Sequence, residues 1–94
     1  MSQKISVGRI VHYKLPLRHD GDPGQWRPAM VTSVHGDGDL ANLTVFLDAC
    51  NDVRQIDEES FAQLGIEVLD DAHASVGSAE EGDKQGNWRW PPRA

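Results

Sequence analysis

The sequence predicts a mainly β domain, folded as one small barrel of four to five short strands with one short helix. Three observations predict it. The chain has 94 residues, its apolar side chains alternate with polar ones in short runs, and turn-forming Gly, Asp and Pro separate those runs. No long stretch shows the period of about 3.6 residues that marks an amphipathic helix. A closed barrel also removes the exposed strand edges that so small a sheet would otherwise have to protect.

The first three strands are predicted by β-branched residues and by the turns between them. Residues 7–13 are rich in β-branched side chains, and the strand ends before Pro16. Residues 26–35 follow a loop dense in Gly, Asp and Pro, and residues 40–47 follow a Gly-Asp-Gly-Asp turn that is typical of a hairpin. The alternation in the third strand places Ala41, Leu43, Val45 and Leu47 on one face, with Asn42, Thr44 and Phe46 on the other.

The second half of the chain contains a short helix, a further strand and an acidic segment. Asp57 is placed to cap a helix over residues 58–64, which Gly65 ends. Residues 66–69 are the candidate fourth strand. Residues 70–87 are mostly small or acidic and bury too little to offset the entropy of ordering, so we expect a mobile loop there.

The C-terminal segment is aromatic. Trp88 and Trp90 share one face of an extended segment, with Arg89 on the other face. We expect this segment to dock on the barrel as its last strand. The predicted organisation is an SH3-like barrel core over residues 1–69, an acidic mobile loop over 70–87 and a Trp-rich docking segment over 88–94.

The distribution of charge argues against several classes of function. The net charge is −6, whereas a general nucleic-acid binder needs clustered Lys and Arg for phosphate contacts. The acids are concentrated in residues 28–87, which carry thirteen Asp or Glu against two Lys or Arg, and the two chain ends are basic. If the ends meet in the fold, they form one positive patch on an acidic protein.

Membrane, secretory and metal-binding classes are not supported by the sequence. No window approaches about 18 consecutive apolar residues, and residues 1–6 lack the apolar stretch of a secretory signal. The single Cys50 has no partner for an intrachain disulfide, and no Cys/His pair has zinc-ligand spacing. We therefore expect a cytoplasmic protein with no metal or other cofactor and no membrane or nucleic-acid partner.

Several short motifs resemble small proteins of bacteriophages and prophages, most of which have no assigned function. The motifs are VGRIVHY at 7–13, RPA at 27–29, NLTVFLD at 42–48, Asn51-Asp52 and WRWP at 88–91. The resemblance covers most of the chain except residues 57–86, and the acidic insert before Trp88 is longer than in the common pattern. The resemblance implies a phage or prophage origin and a shared fold.

A second resemblance is architectural. A strand that begins at Gly8, followed after a loop by Trp26, Pro28, Ala29 and Val31, resembles the opening of PWWP and Tudor-type SH3-like barrels. Those domains commonly hold ligands in aromatic cages. Their binding to DNA or chromatin does not carry over, because this chain lacks their strongly basic character.

Aromatic and arginine side chains occur together at both ends of the chain, a combination suited to a base, a cation or a phosphate. A second interpretation stays open, in which the rings form the barrel core and the arginines pair with the acidic middle segment. The candidate ligand-binding residues are Arg9, Tyr13, Trp26, Arg27, Asn42, Trp88, Arg89 and Trp90.

We expect a binding protein rather than an enzyme. The chain has no Gly-rich phosphate loop, Cys50 has no orienting partner, and His35 with Asp37 and Asp39 is typical of a polar hairpin tip. The leading hypothesis is a phage counter-defence inhibitor that sequesters a nucleotide-like host signal and acts as a homo-oligomer. Two alternatives are a virion structural or assembly accessory protein and an acidic inhibitor that binds a host protein.

Overall fold

The computed structural model describes residues 5–16, 25–36, 38–48, 52, 58–70 and 72–92. Predictions that concern residues 17–24, Asp37, Cys50 and Asp57 lie outside these residues. The described residues form six strands and one helix: β1 (Ile10–Lys14), β2 (Trp26–His35), β3 (Leu40–Phe46), α1 (Glu58–Gln63), β4 (Ile66–Val68), β5 (His73–Glu81) and β6 (Asn87–Arg89).

Five of these strands close into a ring. Each pairs with the next in the order β1, β2, β3, β5, β6, and β6 pairs back with β1. These pairings are antiparallel except for the parallel pair of β5 and β6. β4 lies beside the first half of β5. The predicted mainly β fold, a small SH3-like barrel with one short helix, is confirmed.

The expectation of a mobile loop over residues 70–87 is wrong for residues 73–81. Residues 73–81 form β5, which has β3 on one edge and β4 and β6 on the other. Ala74, Val76 and Ala79 of β5 are buried. Because these buried side chains are small, the segment lacks the apolar bulk that usually marks a strand, and the composition of its exposed face resembles a loop.

The core lies inside the ring. The β3 face that carries Leu43 and Val45 is buried, and β1 and β2 contribute the fully buried Val11 and Val31. Phe61 of α1 and Ile66 of β4 belong to the same cluster. Each large apolar side chain that is fully buried contributes about 1.5–3 kcal/mol relative to exposure, so these strands supply much of the stability.

Asn42 of β3 lies between two β-bulges, one in β2 and one in β5. In the first, Thr32 Oγ1 donates a hydrogen bond to the Asn42 carbonyl oxygen at 3.1 Å. In the second, Ser78 has a left-handed φ of 56° and donates its backbone N–H to Asn42 Oδ1 at 2.9 Å. His35 Nε2 lies 3.1 Å from the same oxygen. One residue therefore connects both irregular strands.

Replacing Asn42 with Ala removes the acceptor for the Ser78 N–H and for His35, and we expect the free energy of unfolding to fall by about 1–2 kcal/mol. The matched control is Asn42→Asp, which keeps an oxygen acceptor at this position and should stay closer to the wild type. Urea denaturation of the three proteins measures the difference. Equal stability of Asn42→Ala and the wild type would show that the bulges are held by other contacts.

Candidate ligand-binding face

The eight candidate residues do not form one cage. Tyr13 and Trp88 are cross-strand partners on β1 and β6 and are 0% and 2% exposed, respectively. The alternation of each strand turns these two rings into the barrel. They are core residues, which corrects the expectation that they contact a ligand: neither ring has an exposed face to offer.

The polar atoms of these two rings are buried and form no hydrogen bond within the described residues. Neither Tyr13 Oη nor Trp88 Nε1 has a hydrogen-bond partner within the part of the chain that the structure describes. Burial raises the pKa of the Tyr13 hydroxyl above its usual value near 10.0. A buried hydroxyl without a partner destabilises the folded state, so the ring of Tyr13 contributes through its volume and not through its oxygen.

Arg27 is held by a carboxylate. Its Nε and Nη2 donate to Asp52 Oδ2 and Oδ1, each at 2.7 Å, in a two-pronged ion pair. Asp52 is 7% exposed, and its Oδ2 also accepts the Asp48 N–H at 2.6 Å. The hydrogen bond to Asp52 raises the pKa of Arg27. Arg27 thus ties Asp52 to β2 and does not offer a free guanidinium fork.

A serine and a histidine approach each other at the Asn42 bulges without forming a nucleophile and its base. Ser78 Oγ lies 3.4 Å from His35 Nε2. Asn42 Oδ1 is an acceptor only, so the His35 Nε2 that bonds to it must carry the ring proton. A protonated nitrogen does not accept the proton of the serine hydroxyl. The role of Asn42 is to hold the strands together.

Lys14, Trp26 and Arg89 form a cationic, aromatic surface on the outside of β1, β2 and β6, which we call the Trp26 patch. The Arg89 Cζ atom lies 3.9 Å from the centre of the Trp26 ring, and Lys14 Nζ lies 5.7 Å from it. Both are cation–π distances. Sequence reasoning missed Lys14, because only the register of β1 against β2 places it opposite Trp26.

The two cations of the Trp26 patch are not neutralised by the residues described. Neither Lys14 nor Arg89 has an ion pair there, and the buried Nε of Arg89 lacks a hydrogen-bond partner. Both charges contact one ring, so they lie within about 10 Å of each other, one Debye length at 0.1 M salt. Two like charges this close favour an anion beside them.

Arg9 and Trp90 form a second cation–π pair. The Arg9 Cζ atom lies 5.5 Å from the centre of the Trp90 ring. Trp90 packs on the core and meets Trp88 edge to face, with ring centres 5.6 Å apart. Arg89 instead reaches outward to Trp26. The C-terminal segment therefore meets both a basic residue near the N-terminus and the start of β2, but on different sides of β6.

Comparison of the chain with models of known protein families, with curated proteins and with solved structures finds no match. In the described residues, no helix has the length and apolar character needed to cross a bilayer. Nor do three His, Cys, Asp or Glu side chains in those ranges come together as a metal site.

Replacing Tyr13 with Phe keeps the ring and removes the unpaired hydroxyl, so we expect the free energy of unfolding to rise by about 1 kcal/mol at neutral pH. In the wild type, the unfolded chain ionises this hydroxyl near pH 10 while the folded chain keeps it neutral. Stability is therefore lost as the pH rises above about 10. The variant lacks this contribution. Urea titrations between pH 7 and pH 11 measure both effects, and a variant less stable than the wild type at pH 7 would contradict the assignment.

Replacing Asp52 with Ala leaves the Arg27 guanidinium partly buried without its counter-ion, and we expect a loss of about 2–3 kcal/mol in the free energy of unfolding. The double variant Arg27→Met with Asp52→Ala removes both charges and should recover part of this loss. Thermal denaturation of the single and double variants provides the measurement. A single variant as stable as the wild type would mean that solvent screens the pair.

Proposed function

We propose that the protein is a non-enzymatic binding protein that captures a small, planar, phosphate-bearing ligand on the Trp26 patch. One observation carries the proposal: Arg89 and Lys14 both lie against the Trp26 ring, and no carboxylate in the described residues pairs with either of them. The chain has fifteen Asp and Glu against nine Lys and Arg, so acids were available to neutralise these cations.

The chemistry of the Trp26 patch matches the two parts of a nucleotide. Arg89 offers a planar fork for phosphate oxygens, and Lys14 offers a compact charge on a flexible stem. A planar base packs against the indole or against the guanidinium plane, as bases do on aromatic platforms. A cationic ligand of the kind held by aromatic cages is disfavoured, because two cations already lie against this ring.

The surroundings of the patch limit the size of the anion. Glu80 and Glu81 of β5 are exposed and pair with Asn87 and Trp88, the two residues that precede Arg89. A long nucleic acid that contacts Arg89 would also pass these carboxylates, and repulsion would oppose it. A mononucleotide or dinucleotide can contact the cations without extending over the acids.

The resemblance to small phage proteins supports a biological role for such a site. Sequestration of a nucleotide-like host signal requires affinity and a stoichiometric amount of protein, but no catalytic group. We therefore propose that the protein acts as a counter-defence inhibitor that withdraws this signal from its host receptor.

Calorimetric titration with cyclic mononucleotides, cyclic dinucleotides and ADP-ribose derivatives tests the proposal. We expect at least one of these ligands to bind, and Trp26→Ala and Arg89→Gln each to weaken its binding at least tenfold, about 1.4 kcal/mol. Arg89→Gln should also reduce the dependence of affinity on salt. Absence of heat and of any thermal shift with all three classes would overturn the proposal.

The matched control is Lys84→Gln. It removes one positive charge from an exposed residue in the turn before β6, one with no described ring contact to Trp26, and should bind like the wild type. The nucleoside without phosphate is the control for the ligand. If the nucleoside bound as tightly as the nucleotide, Lys14 and Arg89 would not contribute to binding through the phosphate.

A further inference from the structure

A groove of about 330 Å³ lies where one edge of β5 changes its neighbour. β4 pairs with that edge as far as Val76, and β6 pairs with it from Glu80 onward. Between them, residues 77–79 have no strand partner on this edge among the described residues. The end of α1 and the turn before β6 also line the groove. The sheet is therefore open for three residues at this point.

The β5 backbone is accessible in the middle of this open edge. Gly77 is exposed, and its φ is not left-handed, so the backbone there does not require a glycine. An added Cβ atom would have one described neighbour within 4 Å, Asn42 Oδ1 at an ordinary contact distance of 3.8 Å. Packing does not require a glycine either. A glycine inside a strand often marks a place where a ligand or another backbone approaches closely.

The lining of the groove is polar, and its one charged group is negative. Glu80 is exposed and is the only charged residue among the described ones that line the groove. It has no ion pair with any described residue. The amides of Gln63, Gln85 and Asn87 contribute neutral polar groups. This lining suits a cationic ligand with amide groups, and the carboxylate opposes an anion of the kind proposed for the Trp26 patch.

We infer that the groove binds the amino-terminal end of an extended peptide, whose backbone pairs with residues 77–79 and whose α-amino group pairs with Glu80. Addition of a strand to an open sheet edge is a recurrent mode of peptide recognition, and capture of an amino terminus is another. The peptide runs antiparallel to β5, as β4 does, so its first residue lies at the Glu80 end. None of these residues belongs to the Trp26 patch, so the inference is independent of the proposed function.

The two flanking strands limit the occupant to a chain end. At about 3.3 Å per residue, the open edge spans about 10 Å, which accommodates three residues. Beyond it, Ile66 of β4 pairs with Val76, and Asn87 of β6 pairs with Glu80, so a longer strand has no place on this edge. An internal segment would have to bend away from the sheet at both ends of the groove, whereas a chain end leaves at one.

An NMR titration that follows the backbone amide signals tests the inference. The probe is trialanine amide, which has a free α-amino group, peptide groups and no carboxylate. We expect the signals of residues 77–80 and 85–87 to shift on its addition. N-acetyl-trialanine amide lacks the charge and n-butylamine lacks the peptide groups, so each should bind at least about tenfold more weakly.

Two variants test the roles of charge and of backbone access. Glu80→Gln removes the carboxylate, and Gly77→Val places a side chain on the open edge, so each should weaken trialanine amide at least about tenfold with unchanged thermal unfolding. The matched control is Glu81→Gln. Glu81 is the next exposed carboxylate of β5 but does not line the groove, and its variant should bind like the wild type.

Three results would overturn the inference. The first is the absence of shifts in residues 77–80 at millimolar trialanine amide. The second is equal binding of the acetylated peptide, since the α-amino group would then contribute nothing. The third is equal binding of n-butylamine, which would indicate a site for charge without pairing to β5. The nucleotide titration is a separate test, because it concerns the signals of Lys14, Trp26 and Arg89.

Discussion

The pairing of β6 with both β1 and β5 is the contact on which the rest of the structure depends. This strand has three residues, Asn87–Arg89, yet it closes the ring. Because side chains alternate along a strand, Trp88 enters the core while Arg89 reaches the outer face. Closure of the barrel and assembly of the Trp26 patch are therefore one event, and a chain that failed to seat Trp88 would also fail to place Arg89 on Trp26.

The same constraint explains the composition of the core. Two large rings, Tyr13 and Trp88, face each other across β1 and β6, and both leave a polar atom unpaired among the described residues. Their volume is balanced by small buried side chains of β5, the strand paired with β6, such as Ala74 and Ala79. In a barrel this narrow, large residues on one side require small ones on another. The two unpaired polar atoms destabilise the folded state, and the dense packing of the interior offsets this loss.

Local pattern was enough to predict β2, β3 and α1, and it was not enough for β5. In β3 the buried positions carry Leu and Val, so alternation and bulk agree. In β5 the buried positions are mostly Ala, and the bulge at Ser78 interrupts the two-residue period. The candidate site, too, is predicted only in part by local pattern. The recurrence of Trp with Arg is visible in the sequence. Which rings lie in the core and which lie on the surface depends on strand register and on closure of the barrel. The Arg27–Asp52 pair joins residues 25 positions apart, and no local pattern in the sequence predicts which carboxylate Arg27 contacts.

Under the proposed function, the side chains of the Trp26 patch hold an anion and do not transform it. An ammonium and a guanidinium group contribute positive charge and an indole contributes an aromatic face, so Lys14, Trp26 and Arg89 are suited to stabilising negative charge. His12 is the cross-strand partner of Arg89, and its Nδ1 atom is buried rather than directed to solvent. What the patch can change is the free energy of an anion beside it. That change grows when water is excluded, because charge interactions strengthen as the surroundings become less polar. An anion on the Trp26 patch is therefore held most strongly where water is excluded from it.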